Sequence, residues 1–399
     1  MSTHHFSLTQ QKILVIAPMI TGSLSLFSSL TIMVMILKSK KKLSSSYRRF
    51  IFGISTADVI FSIGNIASSL PNHADTFWGA MGNQQTCEAQ GITLQIGGSA
   101  GALYMTFFCI YFFTAIHFPM SKKKLAQKFE PFLHLFTIVF SLSTGLYLFV
   151  KGNYNPVEST FFCWISSFPM GCSVNGPVEC IRGADAVQMR LYFFQIPSIS
   201  AFSVIIFTMG MISLKVIKQE KSNKKYQFQV PKNKQENNIT EPERNSNNNN
   251  RQRNVRRDIF SLRNGLTRLK KLRSNRAKSV TIQAILYIMA FLLSWIFVWI
   301  NMIIQNKRGK SGVPYVQALM GRIFNPLQGF STMLVYTRPH VISLRRTHKE
   351  YSWLKAFFIV ITSGGDDDGK VVRDRRLSRI SVKIPSEIRG MDLSSSSQD

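Results

Sequence analysis

Acidic side chains are scarce: 20 Asp and Glu stand against 49 Lys and Arg in 399 residues, a formal net charge of +29. The chain also lacks the HExxH, GxSxG, GxGxxG and phosphate-loop patterns that would announce a metalloprotease, an α/β-hydrolase or a nucleotide-binding enzyme. Its five Cys have neither the spacing nor the His partners of a zinc site, so no metal and no cofactor is expected. No recognition module accompanies the basic runs, and nucleic acid is set aside as a partner. The opening MSTHHFSLTQQK has no small-residue cleavage site, and the apolar run after it is too long for a signal-peptide core. That run reads as a retained helix.

What is abundant is apolar surface in long runs. Hydrophobic residues make up 45% of the chain, and they gather in seven stretches: Ile13–Leu37, Phe50–Leu70, Gly91–Ile116, Pro131–Val150, Leu191–Leu214, Val280–Ile304 and Val313–Tyr336. A hydrocarbon layer about 30 Å thick needs about 20 helical residues, which each stretch supplies or approaches. Helices satisfy their own backbone in lipid, and continuous runs of this kind rule out a β-barrel. The expected fold is an all-α membrane protein, a seven-transmembrane helix bundle followed by a cytoplasmic amphipathic helix 8.

Segments 38–49, 116–130, 215–278 and 338–399 hold 41 of the 49 basic residues. The positive-inside bias then places the N-terminus outside and the C-terminus inside a plasma membrane, the basic excess facing anionic inner-leaflet lipids. The chain divides into a short extracellular N-terminus (1–12), the membrane domain (13–337, with a long basic cytoplasmic loop at 215–278), a surface helix (338–361) and a disordered cytoplasmic tail (362–399). Within the long loop, Lys221–Arg253 is polar and reads as disorder. Ile259, Phe260, Leu262, Leu266, Leu269 and Leu272 then recur among basic residues, as in an extension of the sixth helix that meets a partner or the inner leaflet. In the surface helix, Leu344, Trp353, Leu354, Phe357 and Phe358 lie among Arg345, Arg346, His348, Lys349 and Lys355. Ser378 and Ser381 follow basic residues and are phosphorylation candidates, where added phosphate would weaken attraction to lipid or create a partner site.

Four Cys fall on the outer side, Cys87, Cys163, Cys172 and Cys180, and Cys109 lies within the third span. Three complete pairings exist. Position favours Cys87, at the outer end of the third helix, with Cys163, leaving Cys172 and Cys180 to close a small loop.

Asp58 lies nine residues beyond Arg49, about 13 Å into the bilayer at helical rise. A carboxylate there must be protonated, water-linked, ion-bound or paired. Arg322 and Asn325 in the last span are candidate partners, and Pro326 can leave a bend that differs between two states. A pocket is proposed from depth and polarity: Asn65, Gln95, Ser99, Gln195, Trp295, Trp299, Asn301 and Gln317 are ligand-binding candidates.

Seven spans, Cys87, the Cys163–Trp164–Ile165 run, STAD at Ser55–Asp58 and NPLQGFSTMLVYTRP from Asn325 to Pro339 together resemble a G-protein-coupled receptor. The closest resemblance is to the cyclic-AMP-receptor-like division, with some similarity to the secretin and adhesion divisions, over about residues 11–360. Helix three ends in CIYFFTAIHFP without an Asp-Arg-Tyr triplet, and helix six reads FLLSWIFVWI without Cys-Trp-x-Pro, so rhodopsin-type mechanics are not carried over residue by residue. The resemblance implies that binding of an extracellular small ligand is transduced into heterotrimeric G-protein activation, with a kinase and arrestin-like proteins as further partners. Asp58, Arg322, Asn325, Pro326 and Tyr336 are the switch candidates. A small-solute transporter or channel, or a non-signalling seven-helix scaffold, is the alternative. Retinal would need a Lys inside the bundle, and Val313–Tyr336 has none.

Overall fold

The structure, a computed structural model, describes residues 6–74, 76–118, 125–157, 160–169, 172, 178–228, 282–305 and 313–363. Helix α1 (Leu8–Lys38) starts before the apolar run does, because Ser7 and Gln10 form a reciprocal capping box. Ser45 caps α2 (Ser46–Ala67), and Asn83 with Thr86 caps α3 (Gln84–His117). A π turn, Leu125–Phe129, leads into α4 (Glu130–Val150), with Pro131 in its first turn where no N–H is needed. A short helix, Ala186–Arg190, and a second π turn, Leu191–Gln195, lead into α5 (Ile196–Phe228). Helix α6 (Ile282–Gln305) follows.

The last apolar stretch is broken into α7a (Tyr315–Phe324) and α7b (Gln328–Thr347) by a turn over 325–327. Pro326 in that turn has no N–H to give to the helical ladder. Among the described residues, six helices, α1 to α6, are long and apolar enough to cross a membrane. The segment expected as one surface helix over 338–361 is divided: α7b runs on to Thr347, and α8 (Trp353–Ser363) begins after a turn, with Leu344 on α7b. The long-loop pattern around Ile259–Leu272 and the serines Ser378 and Ser381 lie outside the described residues.

The side chains are arranged for lipid. Helix α4 exposes Phe132, Leu135, Ile138, Val139 and Leu146, whereas Ser28, Ser29, Ser55, Asp58, Ser62 and Asn65 are buried inside. A bundle that hides serines and shows leucines is stable only in an apolar solvent, and the protein is a multi-pass membrane protein. Helix α2 packs on both α1 and α3. A Cβ at Gly97 would lie 2.5 Å from the Phe61 nitrogen, so glycine lets α3 rest on the α2 backbone.

One end of the bundle is capped by a hairpin that the sequence analysis did not anticipate. Strands β1 (Tyr154–Val157) and β2 (Phe162–Ile165) pair antiparallel, Pro156 opposite Cys163. Four-residue strands are too short to show an alternating pattern. Cys163 is bonded to Cys87 at the start of α3, and Cys172 to Cys180. The Cys163 N–H donates to Gln90 Oε1 at 2.9 Å, and Gln90 Nε2 donates to the Gly64 and Ser68 carbonyls. Tyr154 presses on Gly91, where an added Cβ would lie 2.5 Å from the ring. Arg182 pairs with Glu88 at the same end. Tyr154 Oη donates to the Gly145 carbonyl and Asn72 Nδ2 to the Phe161 carbonyl, so the hairpin is anchored to α4, to the segment after α2 and, through Cys163, to α3.

Candidate functional site

A cavity of about 100 Å³ opens between α2, α3, α6, α7a and the entry to α5, lined on the hairpin side by Val157, Thr160, Phe162 and Trp164. Much of its wall is apolar, including Phe61, Leu94, Phe194, Val298 and Met302. Five of the eight sequence-derived ligand candidates line it: Asn65, Gln95, Ser99, Trp295 and Asn301. Asn65 and Ser99 spend a hydrogen bond on their own helices, to the Phe61 and Gln95 carbonyls. Gln95 accepts from Trp164 Nε1 at 3.2 Å, so the hairpin is tied to the cavity wall.

Gln195, Trp299 and Gln317 are not lining residues. Gln317 donates to the Phe297 carbonyl at 3.2 Å, and Trp299 packs edge-on against Phe202 with ring centroids 5.6 Å apart. Helical phase explains Gln317: Ala318, Gly321, Arg322 and Asn325 form the lining face of the last segment, and Gln317 stands one residue off it. Gln195 lies in the π turn, next to the lining residue Phe194.

The cavity floor is joined to the charge at mid-membrane. Trp295 Nε1 donates to Gln328 Oε1 at 2.8 Å, and Gln328 Nε2 donates to Asp58 Oδ1 at 2.7 Å. All three side chains are buried. The partner of Asp58 is therefore Gln328 and not Asn325 or Arg322. The turn at 325–327 makes Gln328 the first residue of α7b and leaves Asn325 in the cavity wall with Pro326. Arg322 points the other way, donating through Nε to the Leu14 carbonyl at 3.1 Å and through Nη2 to Ser68 Oγ at 2.9 Å. Ser68 is ten residues beyond Asp58, about 15 Å along α2, which puts Arg322 out of reach of the carboxylate. Tyr336 is buried in the apolar cluster below, with Phe108, Tyr287 and Met333.

Residues 29–324 match the family described as 7 transmembrane receptor (rhodopsin family), well over half of the chain. The protein belongs to that family. It is a rhodopsin-class G-protein-coupled receptor and not a member of the cyclic-AMP-receptor-like division, which corrects the closer resemblance drawn from its motifs. The motifs misled because each is a short local stretch, whereas the match takes in α2 to α6 whole together with the end of α1 and α7a. Squid rhodopsin is similar in fold, with a TM-score of 0.56 and 15% identity, covering 96% of this chain and 94% of that one. No curated protein matches the receptor by sequence.

At the end away from the hairpin, the receptor carries contacts that sequence reasoning missed. Tyr47 and Tyr287 share a hydrogen bond between hydroxyls at 2.9 Å, and Gln283 Nε2 donates to Tyr47 Oη at 2.7 Å. Tyr47 also meets Phe112 edge-on, at the α3 end that lacks the acidic-basic triplet. Arg49 grips Glu130 with two nitrogens, Nε to Oε1 at 2.5 Å and Nη2 to Oε2 at 2.8 Å. Glu130 was visible as the lone acid in a basic connection, and Gln283 as an amide near the start of an apolar run. Neither signal names a partner.

Proposed function

We propose that this receptor takes a small extracellular ligand into the cavity under the hairpin and passes its binding to a heterotrimeric G protein at the opposite end. The observation that carries this reading is the position of Trp295, which lines the cavity and also donates to the amide that holds Asp58. In this reading the hairpin and the N-terminus are extracellular, α7a and α7b together make the seventh crossing, and α8 lies on the cytoplasmic leaflet. Leu354 and Phe358 are exposed on α8 and would sit among the acyl chains. The basic connections between helices face the anionic inner surface of the plasma membrane.

The mechanism is a population shift: a ligand that binds one bundle arrangement more tightly raises its share. Moving Trp295 changes the bond to Gln328, and Gln328 sits where α7 is already broken, so the two halves can change their angle without losing further ladder hydrogen bonds. At the inner end the change has to part the Tyr47–Tyr287 contact between α2 and α6. Asp58, Asn325, Pro326 and Tyr336 then serve as parts of the switch, and Arg322 belongs to the cavity instead. Nucleotide exchange on purified heterotrimeric G proteins, driven by membranes that contain the receptor and a library of small metabolites, tests this. Ligand-dependent exchange is the expected result, and a folded receptor that stimulates no G protein would leave a non-signalling scaffold.

A further inference from the structure

Two cationic side chains line the cavity with nitrogens that no described residue satisfies. Arg322 is 4% exposed; its Nε and Nη2 are used, but its Nη1 is buried without an acceptor. Arg190, at the end of the short helix before α5, lines the same cavity, and its buried Nε also lacks an acceptor. Among the described residues neither arginine has a carboxylate partner: Glu88 is taken by Arg182 and Glu130 by Arg49. No described Asp or Glu lines the cavity. A guanidinium cannot shed its proton to escape burial, so its unmet N–H groups carry the full cost of desolvation until an acceptor arrives.

We infer that the cavity binds a small organic monocarboxylate, its two oxygens taken by Arg322 Nη1 and Arg190 Nε and its apolar body packed among Phe61, Phe194, Trp295 and Met302. The inference rests on the receptor reading and names its ligand class. One buried, unpartnered nitrogen on each arginine matches the two oxygens of a carboxylate. A phosphate monoester would bring a second charge into a largely apolar wall. A cationic ligand would meet two like charges and no described counter-ion. Phe162, whose ring lies 4.9 Å from the Arg322 guanidinium carbon, holds that group against the hairpin side of the cavity.

The test uses the full chain in detergent with benzoate, phenylacetate and octanoate as probes, each beside its uncharged primary amide, and reads binding by calorimetry and by the shift in unfolding temperature. At least one carboxylate should bind more tightly than its amide, and Arg322→Gln and Arg190→Gln should each weaken it by about 30-fold or more, the usual consequence of removing one partner of a buried charge pair. Arg190→Gln breaks no described hydrogen bond and carries the test if Arg322→Gln, which also loses Leu14 and Ser68, does not fold. Equal binding of acid and amide, no response to any probe, or full affinity in Arg190→Gln would overturn the inference. Binding is read without a G protein, so its failure leaves the receptor reading to be judged by nucleotide exchange alone.

Discussion

Trp295 and Asp58 do not touch, yet both are hydrogen-bonded to one side chain, the amide of Gln328, at 2.8 and 2.7 Å. The amide uses its oxygen for the indole and its nitrogen for the carboxyl, so it cannot release one partner by flipping without facing the other with the wrong atom. A cavity-wall residue on α6 is thereby coupled to the buried acid on α2 through the first residue of α7b.

Replacing Gln328 by Leu should leave both partners unsatisfied, costing about 1–3 kcal/mol for each buried group left without its bond. Thermal unfolding in detergent measures it. The double variant with Trp295→Phe should be destabilised by about 1 kcal/mol less than the sum of the singles, since the two share one bond. Strict additivity would show that the bond contributes nothing.

Gly97→Val should force α3 away from the Phe61 backbone, a cost of about 1–3 kcal/mol or more for overpacking. Gly210 on α5 has nothing within 4 Å of an added Cβ, so Gly210→Val is the matched control and should change the unfolding temperature little. Similar losses in both would place the effect in helix propensity and not in the α2–α3 contact.

Peptide mapping without reductant should recover Cys87 linked to Cys163 and Cys172 linked to Cys180, with Cys109 as the free thiol. Cys87→Ser should destabilise the receptor by about 2–5 kcal/mol, and Cys172→Ser by less, because the loop it closes is far shorter, eight residues of separation against 76. Recovery of crossed pairs would refute the hairpin's anchoring.

How much of this was legible depends on the kind of signal. Asp58 stood out because a charge in an apolar run is costly and has to find a partner, and the outer cysteines because few pairings suit their positions. The partner of Asp58 was not legible. Asn325 looked right by its depth in the last span, but the break at Pro326 resets the helical phase, and only a folded chain shows that Gln328 turns toward α2. Arg322 was assigned to the same switch for being one turn from Asn325, but its side chain reaches Ser68 at the hairpin end of α2, ten residues beyond Asp58. Chain spacing gives depth along one helix; it does not say which face meets a neighbour. The family was misjudged for a related reason: a few short motifs present in the chain were weighted above the pattern spread over the bundle.

At the inner end, Tyr287→Phe should remove the hydroxyl pair with Tyr47 and raise ligand-free nucleotide exchange about fivefold, the effect of losing one hydrogen bond worth about 1 kcal/mol from the resting arrangement. Unchanged basal exchange would show that this contact does not hold α6 in place.

The most direct test of the central claim compares wild type with Gln328→Leu, at matched surface expression, for ligand binding and for nucleotide exchange on the same G protein. If the cavity reaches the inner face through Trp295, Gln328 and Asp58, the variant should bind ligand within a few-fold of wild type and lose most ligand-driven exchange. Full exchange in the variant would contradict the account, because the cavity would then be signalling by a route that bypasses Gln328.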